Sequence, residues 1–460
     1  MVAGPLSIYA KELLYTGDQD RVTPVPLYIF MEEVAIPVLL KIFIVFGIIL
    51  TLNKLRIHLS LSLLIGSLVL GIWMGMTPLD LIQSIIENGT RMQTIGLLLI
   101  VGLIMVMSRI MEESGHMARL VRSFARLSRN PKTVGSVMSA LIGLLPMPGG
   151  ALFSAPMVEA SLSGSQATNE QKAALNYWFR HIWEYWWPLY PGVILAVTLL
   201  EIKTYYFMAT MVPMTIISVF AGILSILLPI GKSAVNKGEG ISWAGIHQFI
   251  WEMMPILIVI IIILVSSVLG KIMEWTGYSL EIPSFLLIPI GLVLSITWVC
   301  LVNHTPLPRL GSAIFRKENL IMLFLIVVIM IFKGIMDDSS AVIHIRNELI
   351  TYGIPVLLLI IIMPFLSGFI LGIAIGFVGA SFPLIIPLFP KLVFLDYLSY
   401  AGLAYTFGYM GMMLSPVHLC LLVTKDFFKA DLLGVYRYLI KPAVIILTSS
   451  VLLFTIIKVL

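Results

Sequence analysis

Charged residues are scarce in this chain, and their scarcity excludes a soluble domain. Only 12% of its 460 residues are charged and 59% are hydrophobic, whereas soluble domains carry about 25% charged residues. Apolar runs of about 20 residues, the length that spans a bilayer, recur along the sequence. The net charge of +5 therefore sets orientation through the loops and does not form a nucleic-acid surface. The composition predicts a polytopic membrane protein surrounded by lipid, with no nucleic-acid partner.

Cysteine and the common catalytic motifs are also lacking. The two cysteines, Cys300 and Cys420, lie in apolar segments, so they indicate neither a disulfide framework nor a zinc site. The sequence contains no GxxxxGK(S/T), HExxH or GxSxG motif, which leaves an ATP-driven pump or a soluble-type hydrolase without support. We therefore expect no enzyme activity and no cofactor other than, at most, sodium ions.

Ten apolar segments have the length of a membrane span, and two further apolar regions are broken by proline and glycine. The spans lie near 34–52, 58–76, 94–111, 177–200, 205–229, 249–270, 284–302, 319–336, 396–424 and 433–457. The broken regions lie near 134–161 and 354–388. This layout divides the chain into an N-terminal extracytoplasmic segment, a first repeat, a cytoplasmic linker and a second repeat, at 1–33, 34–229, 230–246 and 247–460.

Lysine and arginine alternate between successive loops. The loop after the first span, residues 109–132, the central linker and residues 303–318 are rich in them, and the intervening loops are poorer. The positive-inside rule then places both termini outside. The alternation holds only if each broken region enters and leaves the membrane on one side, as a re-entrant hairpin. Five spans per half is an odd number, so the halves are expected to be inverted repeats, the signature of secondary transporters.

The hairpin tips are predicted from helix-breaking residues. The turn Pro-Met-Pro-Gly-Gly at 146–150 cannot continue a helix, because each interior proline removes a hydrogen bond. One interpretation is a plain loop between two short helices. The other is a buried tip that offers N–H groups to an anion and carbonyls to a cation, with Ser154 just beyond it. Gly379-Ala380-Ser381-Phe382 matches Gly150-Ala151-Leu152-Phe153, so we place the second tip at 379–381.

The span after each hairpin is also interrupted. Pro188 and Pro191 break the first, and Ser415-Pro416 lies at the matching place in the second. Discontinuous helices of this kind line ion and substrate sites in transporters. The sequence therefore predicts unwound backbone at 188–192 and 414–417.

Three ionisable residues accompany these breaks. Arg180 and Glu184 are four residues apart, which places them on one helix face. They form either an internal ion pair near an interfacial tryptophan belt or a cavity-facing pair. In the second case Arg180 receives a carboxylate and Glu184 takes a proton or a cation. His418 either bonds a neighbouring helix or serves as a substrate donor or proton carrier.

With two hairpins, each followed by a broken helix, the architecture resembles the ion transporter superfamily, which includes citrate, gluconate and dicarboxylate permeases. The stretches LLPMPGGALFSAPMVEA and FRHIWEYWWPLYPGVIL look most like a prokaryotic integral-membrane family of unassigned function within it. The resemblance implies a scaffold and a moving transport domain, an elevator mechanism, a homodimer and sodium coupling in a prokaryotic cytoplasmic membrane. The dicarboxylate branch carries Ser-Asn-Thr at its hairpin tips. This sequence lacks that signature at 147–151 and 379–381, which argues against a dicarboxylate substrate.

These observations predict an all-α polytopic membrane protein of two inverted repeats, each with five spans and one re-entrant hairpin. The expected function is cation-coupled, most simply sodium-coupled, uptake of a small organic anion. The alternatives are a proton or sodium antiporter that uses Glu184 and His418, and a non-transporting receptor or partner subunit. The substrate-binding candidates are Gly149, Gly150, Ser154, Arg180, His181, Ser381, Ser415 and His418. The ion-binding candidates are Met147, Pro148, Ala151, Pro188, Tyr190, Pro191, Gly379, Ala380 and Pro416, with Glu184 as the proton or cation carrier.

Overall fold

A computed structural model describes residues 36–147, 150–231, 240, 242–275, 284–305, 316–353, 355–390 and 393–459. All regular secondary structure in these ranges is helical, which confirms the all-α prediction. Val38–Leu460 forms one compact unit. The predicted segment 1–33 and most of the linker 230–246 lie outside the described residues.

The first half contains ten α-helices within the described ranges. They are α1 Val38–Lys54, α2 Leu59–Trp73, α3 Pro78–Thr90, α4 Met92–Glu113, α5 His116–Leu127, α6 Pro131–Ile142, α7 Gly150–Ser161, α8 Asn169–Arg180, α9 Pro191–Leu200 and α10 Thr204–Gly222. A π-helical turn extends α10 over Ile223–Leu227. Local sequence determines where some of these helices begin. The Asn130 side chain caps the N-terminus of α6, and Thr168 forms a capping box at the N-terminus of α8.

The second half contains nine α-helices within the described ranges. The described helices are α11 Trp243–Trp275, α12 Ser284–Val302, α13 Lys317–Asp338, α14 Ala341–Tyr352, α15 Val356–Leu371, α16 Ala374–Ile385, α17 Phe394–Met413, α18 Leu419–Phe428 and α19 Leu432–Val459. Each predicted apolar span coincides with a helix or, after each hairpin, with two helices. Each predicted hairpin region consists of two helices, α6 and α7 or α15 and α16.

Five described helices are long and apolar enough to cross a membrane. They are Met92–Glu113, Thr204–Leu227, Trp243–Val265, Lys317–Asp338 and Leu432–Lys458. Shorter apolar helices accompany them at Leu59–Trp73, Pro191–Leu200, Leu287–Val302, Val356–Leu371 and Ala374–Leu388. Long and short apolar helices together are what an integral membrane protein with interrupted spans requires.

The helices pack in two groups. In one group α2 packs against α1 and α13, and α12 packs against α4 and α11. In the other, the two helices of each broken region pack against each other, and their first helices α6 and α15 pack against α8 and α17. The second helix of each broken region crosses to the other half, because α7 packs against α18 and α16 packs against α9. The two halves are therefore interlocked around the breaks.

Two short helices, α5 and α14, pack against long helices of the first group. Helix α5 packs against α11, where His116 Nε2 lies 2.9 Å from the carbonyl oxygen of Glu252. Helix α14 packs against α1, and the Glu348 carboxylate accepts hydrogen bonds from the backbone N–H groups of Val38 and Leu39 at 2.6 and 2.7 Å. The acidic side chain thus caps the positive end of α1.

Candidate functional site

The first broken region turns where the prolines and glycines predicted. Helix α6 ends at Ile142 and α7 begins at Gly150, so Met147 lies in the turn. Pro148 and Gly149 lie outside the described residues. A Cβ atom on Gly143 would lie 1.8 Å from the backbone oxygen of Arg180. Only glycine therefore permits this approach between the turn and the end of α8.

Aromatic side chains satisfy the carbonyl groups of this turn. The indole Nε1 of Trp187 donates to Leu144 O at 2.9 Å, and that of Trp183 donates to Ala140 O at 2.8 Å. The Tyr190 hydroxyl donates to Gly143 O at 2.5 Å. Trp178 is also buried and donates to Ser218 O. Trp183, Trp187 and Tyr190 thus bond carbonyl groups at and after the end of α6, whereas the indole N–H of Trp186 has no hydrogen-bond partner.

The second turn lies before the position that we predicted. Helix α15 ends at Leu371 and α16 begins at Ala374, so the turn is Gly372-Ile373. Gly372 has φ +66° and its N–H donates to Gly368 O at 2.8 Å, the left-handed ending typical of a glycine after a helix. The placement of the tip at 379–381 was wrong because it followed matching letters, whereas the turn requires a left-handed glycine.

The residues that we had placed at the second tip lie inside α16. A Cβ atom on Gly379 would lie 2.4 Å from Ile329 of α13, so this glycine permits close helix packing. Ala380 is buried, and the Ser381 hydroxyl donates to Phe377 O in its own helix at 2.6 Å. Ser154 likewise bonds Gly150 O and Ala151 O within α7. Both serine hydroxyls thus have partners within their own helices.

The first break begins earlier than the prolines suggested. Helix α8 ends at Arg180 and α9 begins at Pro191, which leaves 181–190 without regular helix. Arg180 and Glu184 therefore do not share a helix face, and the prediction from their spacing was wrong. The Glu184 carboxylate instead faces His181, whose Nε2 lies 3.8 Å from Oε1.

Four tyrosines, three of them buried and Tyr436 half-buried, bond the backbone of both breaks. The Tyr409 hydroxyl donates to His181 O at 2.5 Å, and the Tyr405 hydroxyl donates to Glu184 O at 2.8 Å. In the second break, Tyr177 donates to Met413 O and Tyr436 donates to Leu414 O, both at 2.9 Å. Sequence analysis missed these roles, because a tyrosine in an apolar helix gives no sign of which distant carbonyl it meets.

Arg180 lies at the centre of this arrangement. Its side chain is buried, with 3% of the residue exposed, and its Nη2 donates to Met147 O in the first turn at 3.0 Å. Its Nη1 lies 3.2 Å from the sulfur of Cys420 in α18. Its Nε has no hydrogen-bond partner, and no carboxylate of the described residues lies within 4.0 Å. A Cβ atom on Gly150 would lie 2.5 Å from Nη2, so the guanidinium occupies the N-terminal end of α7.

The second break brings two more candidates to the same place. Helix α17 ends at Met413 and α18 begins at Leu419, which confirms the predicted interruption at 414–417. The ring of His418 lies 5.1 Å from that of His181 and 5.4 Å from that of Tyr177, measured between centroids. The sulfur of Cys420 completes this group. Sequence analysis gave Cys420 no role.

The other predicted residues lie around this centre. Ala151 O accepts a bond from the Asn176 amide at 3.1 Å, and the same amide donates to Thr424 of α18 at 3.3 Å. Asn176, which we had not predicted, thus joins α8, α7 and α18. Pro188, Tyr190 and Pro191 are buried in the first break, whereas Pro416 is exposed. Ser415 accepts a bond from Val417 N and faces the turn at Gly372.

These helices define the chain as a helical membrane protein with interrupted helices around a buried cationic side chain. The chain belongs to the family described as "Protein of unknown function (DUF401)", whose model matches residues 35–457. No curated protein matches the chain.

Proposed function

We propose that this protein is a secondary active transporter that moves a small organic anion together with a cation. The observation that carries the proposal is the Arg180 guanidinium, which is buried without a carboxylate partner among the described residues. A buried charge is expensive unless it is paired. Ionisable groups at membrane depth are functional candidates for that reason.

The surroundings of Arg180 favour an anion as its partner. The N-terminus of α7 carries the positive end of the helix dipole, and Gly150 at that end touches the guanidinium. Arg180 Nε is a buried donor without an acceptor. A carboxylate placed there would accept from the guanidinium and face the helix end, as anions commonly do. Met147, Gly150 and Arg180 are the residues that we assign to substrate.

An inverted-repeat, elevator-type arrangement accounts for the packing. The order of the long helices recurs in the two halves, and α7 with α18 and α16 with α9 form reciprocal contacts. In transporters with inverted repeats, hairpins and broken helices of both halves enclose a site near the midplane. The hairpins and breaks would then form the moving domain. The helices α1, α2, α4 and α11–α13 would form the scaffold, and a homodimer in a prokaryotic cytoplasmic membrane is the expected assembly.

Cation coupling would use backbone oxygens at the two breaks. Carbonyls at His181, Glu184, Met413 and Leu414 already accept from tyrosines. Because a carbonyl has two lone pairs, those of Glu184, Met413 and Leu414 can still contribute to a cation site, whereas His181 O also accepts from Glu184 N–H. Sodium is the expected ion, since such oxygen donors suit a hard cation.

The test is uptake by the purified protein in proteoliposomes. Radiolabelled small mono-, di- and tricarboxylates are screened with and without an inward sodium gradient, against protein-free vesicles. We expect at least one anion to accumulate, with a rate that rises with the gradient. Failure of every anion under sodium and under proton gradients contradicts the proposal.

A proton or sodium antiporter is the second candidate, because Glu184 is buried at the first break beside His181. An antiporter would exchange cations in vesicles that contain no organic solute, and Glu184→Gln would stop the exchange. Glu159→Gln is the control, since that glutamate bonds Lys172 at the end of α7, away from the break. Exchange without organic solute would favour this second function.

A further inference from the structure

Three potential metal ligands meet at the point where the breaks approach each other. They are one nitrogen each of His181 and His418 and the sulfur of Cys420, and these atoms lie within 4.8 Å of one another. Each comes from a different element: the first break, the second break and the first turn of α18. Imidazole and thiolate together suit zinc-type and copper-type ions, whereas sodium and magnesium prefer oxygen ligands.

The hydrogen bond of His181 prepares its other nitrogen for a metal. Its Nδ1 lies 2.6 Å from the carbonyl oxygen of Tyr177. A carbonyl can only accept, so Nδ1 carries the proton and Nε2 of the neutral ring keeps its lone pair. Metal-binding histidines commonly donate their second N–H to a carbonyl in this way. The orientation of His181 therefore matches that of a ligand.

A ring nitrogen of His418 lacks a hydrogen-bond partner, which is independent support for a bound ligand. The residue is 6% exposed, and its Nδ1 is buried without a hydrogen-bond partner. A buried polar atom left in that state costs about 1–3 kcal/mol. Edge-on contacts with the rings of His181 and Tyr177 hold the imidazole in place. A bound ligand would satisfy the group without moving the ring far.

The charges nearby suit a thiolate and a cation. Arg180 Nη1 lies 3.2 Å from the Cys420 sulfur, so the guanidinium lies beside the thiolate that a metal forms when it displaces the thiol proton. The Glu184 carboxylate lies 3.8 Å from His181 Nε2. Thiolate and carboxylate together offset the repulsion between a divalent cation and the guanidinium.

We propose that His181, His418 and Cys420 bind one transition-metal ion of the zinc type and leave its fourth position open. Zinc–nitrogen and zinc–sulfur bonds of about 2.0–2.3 Å place tetrahedral ligands about 3.3–3.6 Å apart. The three atoms must therefore approach by about 1 Å or slightly more, a shift that side-chain rotation supplies. The proposal does not depend on anion transport, although an anion held by Arg180 would be close to the open position.

The test is titration of the purified, chelator-treated full-length protein with Co²⁺, followed by absorbance. We expect one Co²⁺ per chain, a thiolate-to-cobalt charge-transfer band, and loss of that band when Zn²⁺ is added. Cys420→Ser should lose the band. Cys300→Ser, which removes the other cysteine, should keep it. No band in the wild-type protein, or a band that persists in Cys420→Ser, overturns the proposal.

Two further measurements guard against variants that fold poorly. His181→Ala and His418→Ala should each weaken Co²⁺ binding at least tenfold, since loss of even an outer partner weakens metal sites by about 10–100-fold. His58→Ala, at an exposed residue, should leave binding unchanged.

In the folded Cys300→Ser protein, Zn²⁺ should slow alkylation of Cys420 by a membrane-permeant maleimide. An unchanged alkylation rate contradicts the site, whatever the transport assays show.

Discussion

The two hairpins share one architecture but differ in what their turns touch. The first turn meets a charge: Met147 O accepts from Arg180, and Gly150 lies against the same guanidinium. The second turn meets backbone and small side chains, because a Cβ atom on Gly372 would lie 3.1 Å from His418 N and from Ser415 Oγ. The second half supplies chemistry through its break instead, with His418 and Cys420. The site is therefore composite, and neither half contains it alone.

The difference shows that two broken regions, each built from two helices, can make quite different contacts. In the first half, helix-breaking residues place backbone and helix end beside an ionisable group. In the second half, the turn permits close helix packing instead. Ala374 follows this turn, and a Cβ atom on Gly192, in the first turn of α9, would lie 2.7 Å from Cβ of Ala374. Substitutions at matched positions in the two turns should therefore have different effects.

The largest effect is expected at Gly143. A Cβ atom there would lie 1.8 Å from Arg180 O, and a backbone atom cannot rotate away. Gly143→Ala should lower the free energy of unfolding by more than about 3 kcal/mol, beyond the usual cost of overpacking. The measurements are yield and monodispersity on size-exclusion chromatography and the thermal unfolding midpoint. Gly47→Ala is the control, because a Cβ atom on Gly47 would have no neighbouring atom within 4 Å. If the two variants were equally stable, the close approach of Gly143 to Arg180 O would be contradicted.

A smaller loss of stability is expected at Gly372. Its φ of +66° costs a residue with Cβ about 1–2 kcal/mol, and the contacts at 3.1 Å add to that cost. Gly75→Ala is a matched control, because Gly75 has φ +88° but no atom within 4 Å. Thermal unfolding should show Gly372→Ala as the more destabilised of the two. The reverse order would place the second turn elsewhere.

The smallest of these effects is expected at Tyr409. Tyr409→Phe removes the hydroxyl donor to His181 O and leaves that buried carbonyl with only the Glu184 N–H, at 3.3 Å; the expected cost is about 1 kcal/mol. Tyr352→Phe, at an exposed residue, should change little. Thermal unfolding measures both variants. A Tyr409 variant as stable as wild type would show that the unwound backbone does not depend on this hydroxyl.

The prolines and glycines made the interruptions predictable from the sequence, because they exclude continuous helix at 143–150 and 414–417 wherever these segments pack. The second turn was misplaced because we located it by the similarity of Gly379-Ala380-Ser381-Phe382 to the first turn. The position of the turn is set instead by Gly372, whose backbone angle ends the helix. The Arg180–Glu184 spacing misled for a related reason: helical periodicity was assumed beyond the last helical residue. Cys420 lies close to Arg180 and the two histidines because helices of the two halves pack against each other. Residue spacing in the sequence does not reveal such a contact.

The most direct test of the central claim concerns Arg180 itself. Anion uptake and thermal stability are measured together for wild type, Arg180→Gln and the exposed control Arg122→Gln. If Arg180 binds the anion, Arg180→Gln should abolish uptake while the variant stays folded, with an unfolding midpoint close to that of wild type, since the glutamine amide can still donate to Met147 O. Arg122→Gln should retain uptake. Uptake by Arg180→Gln at the wild-type rate would contradict the account.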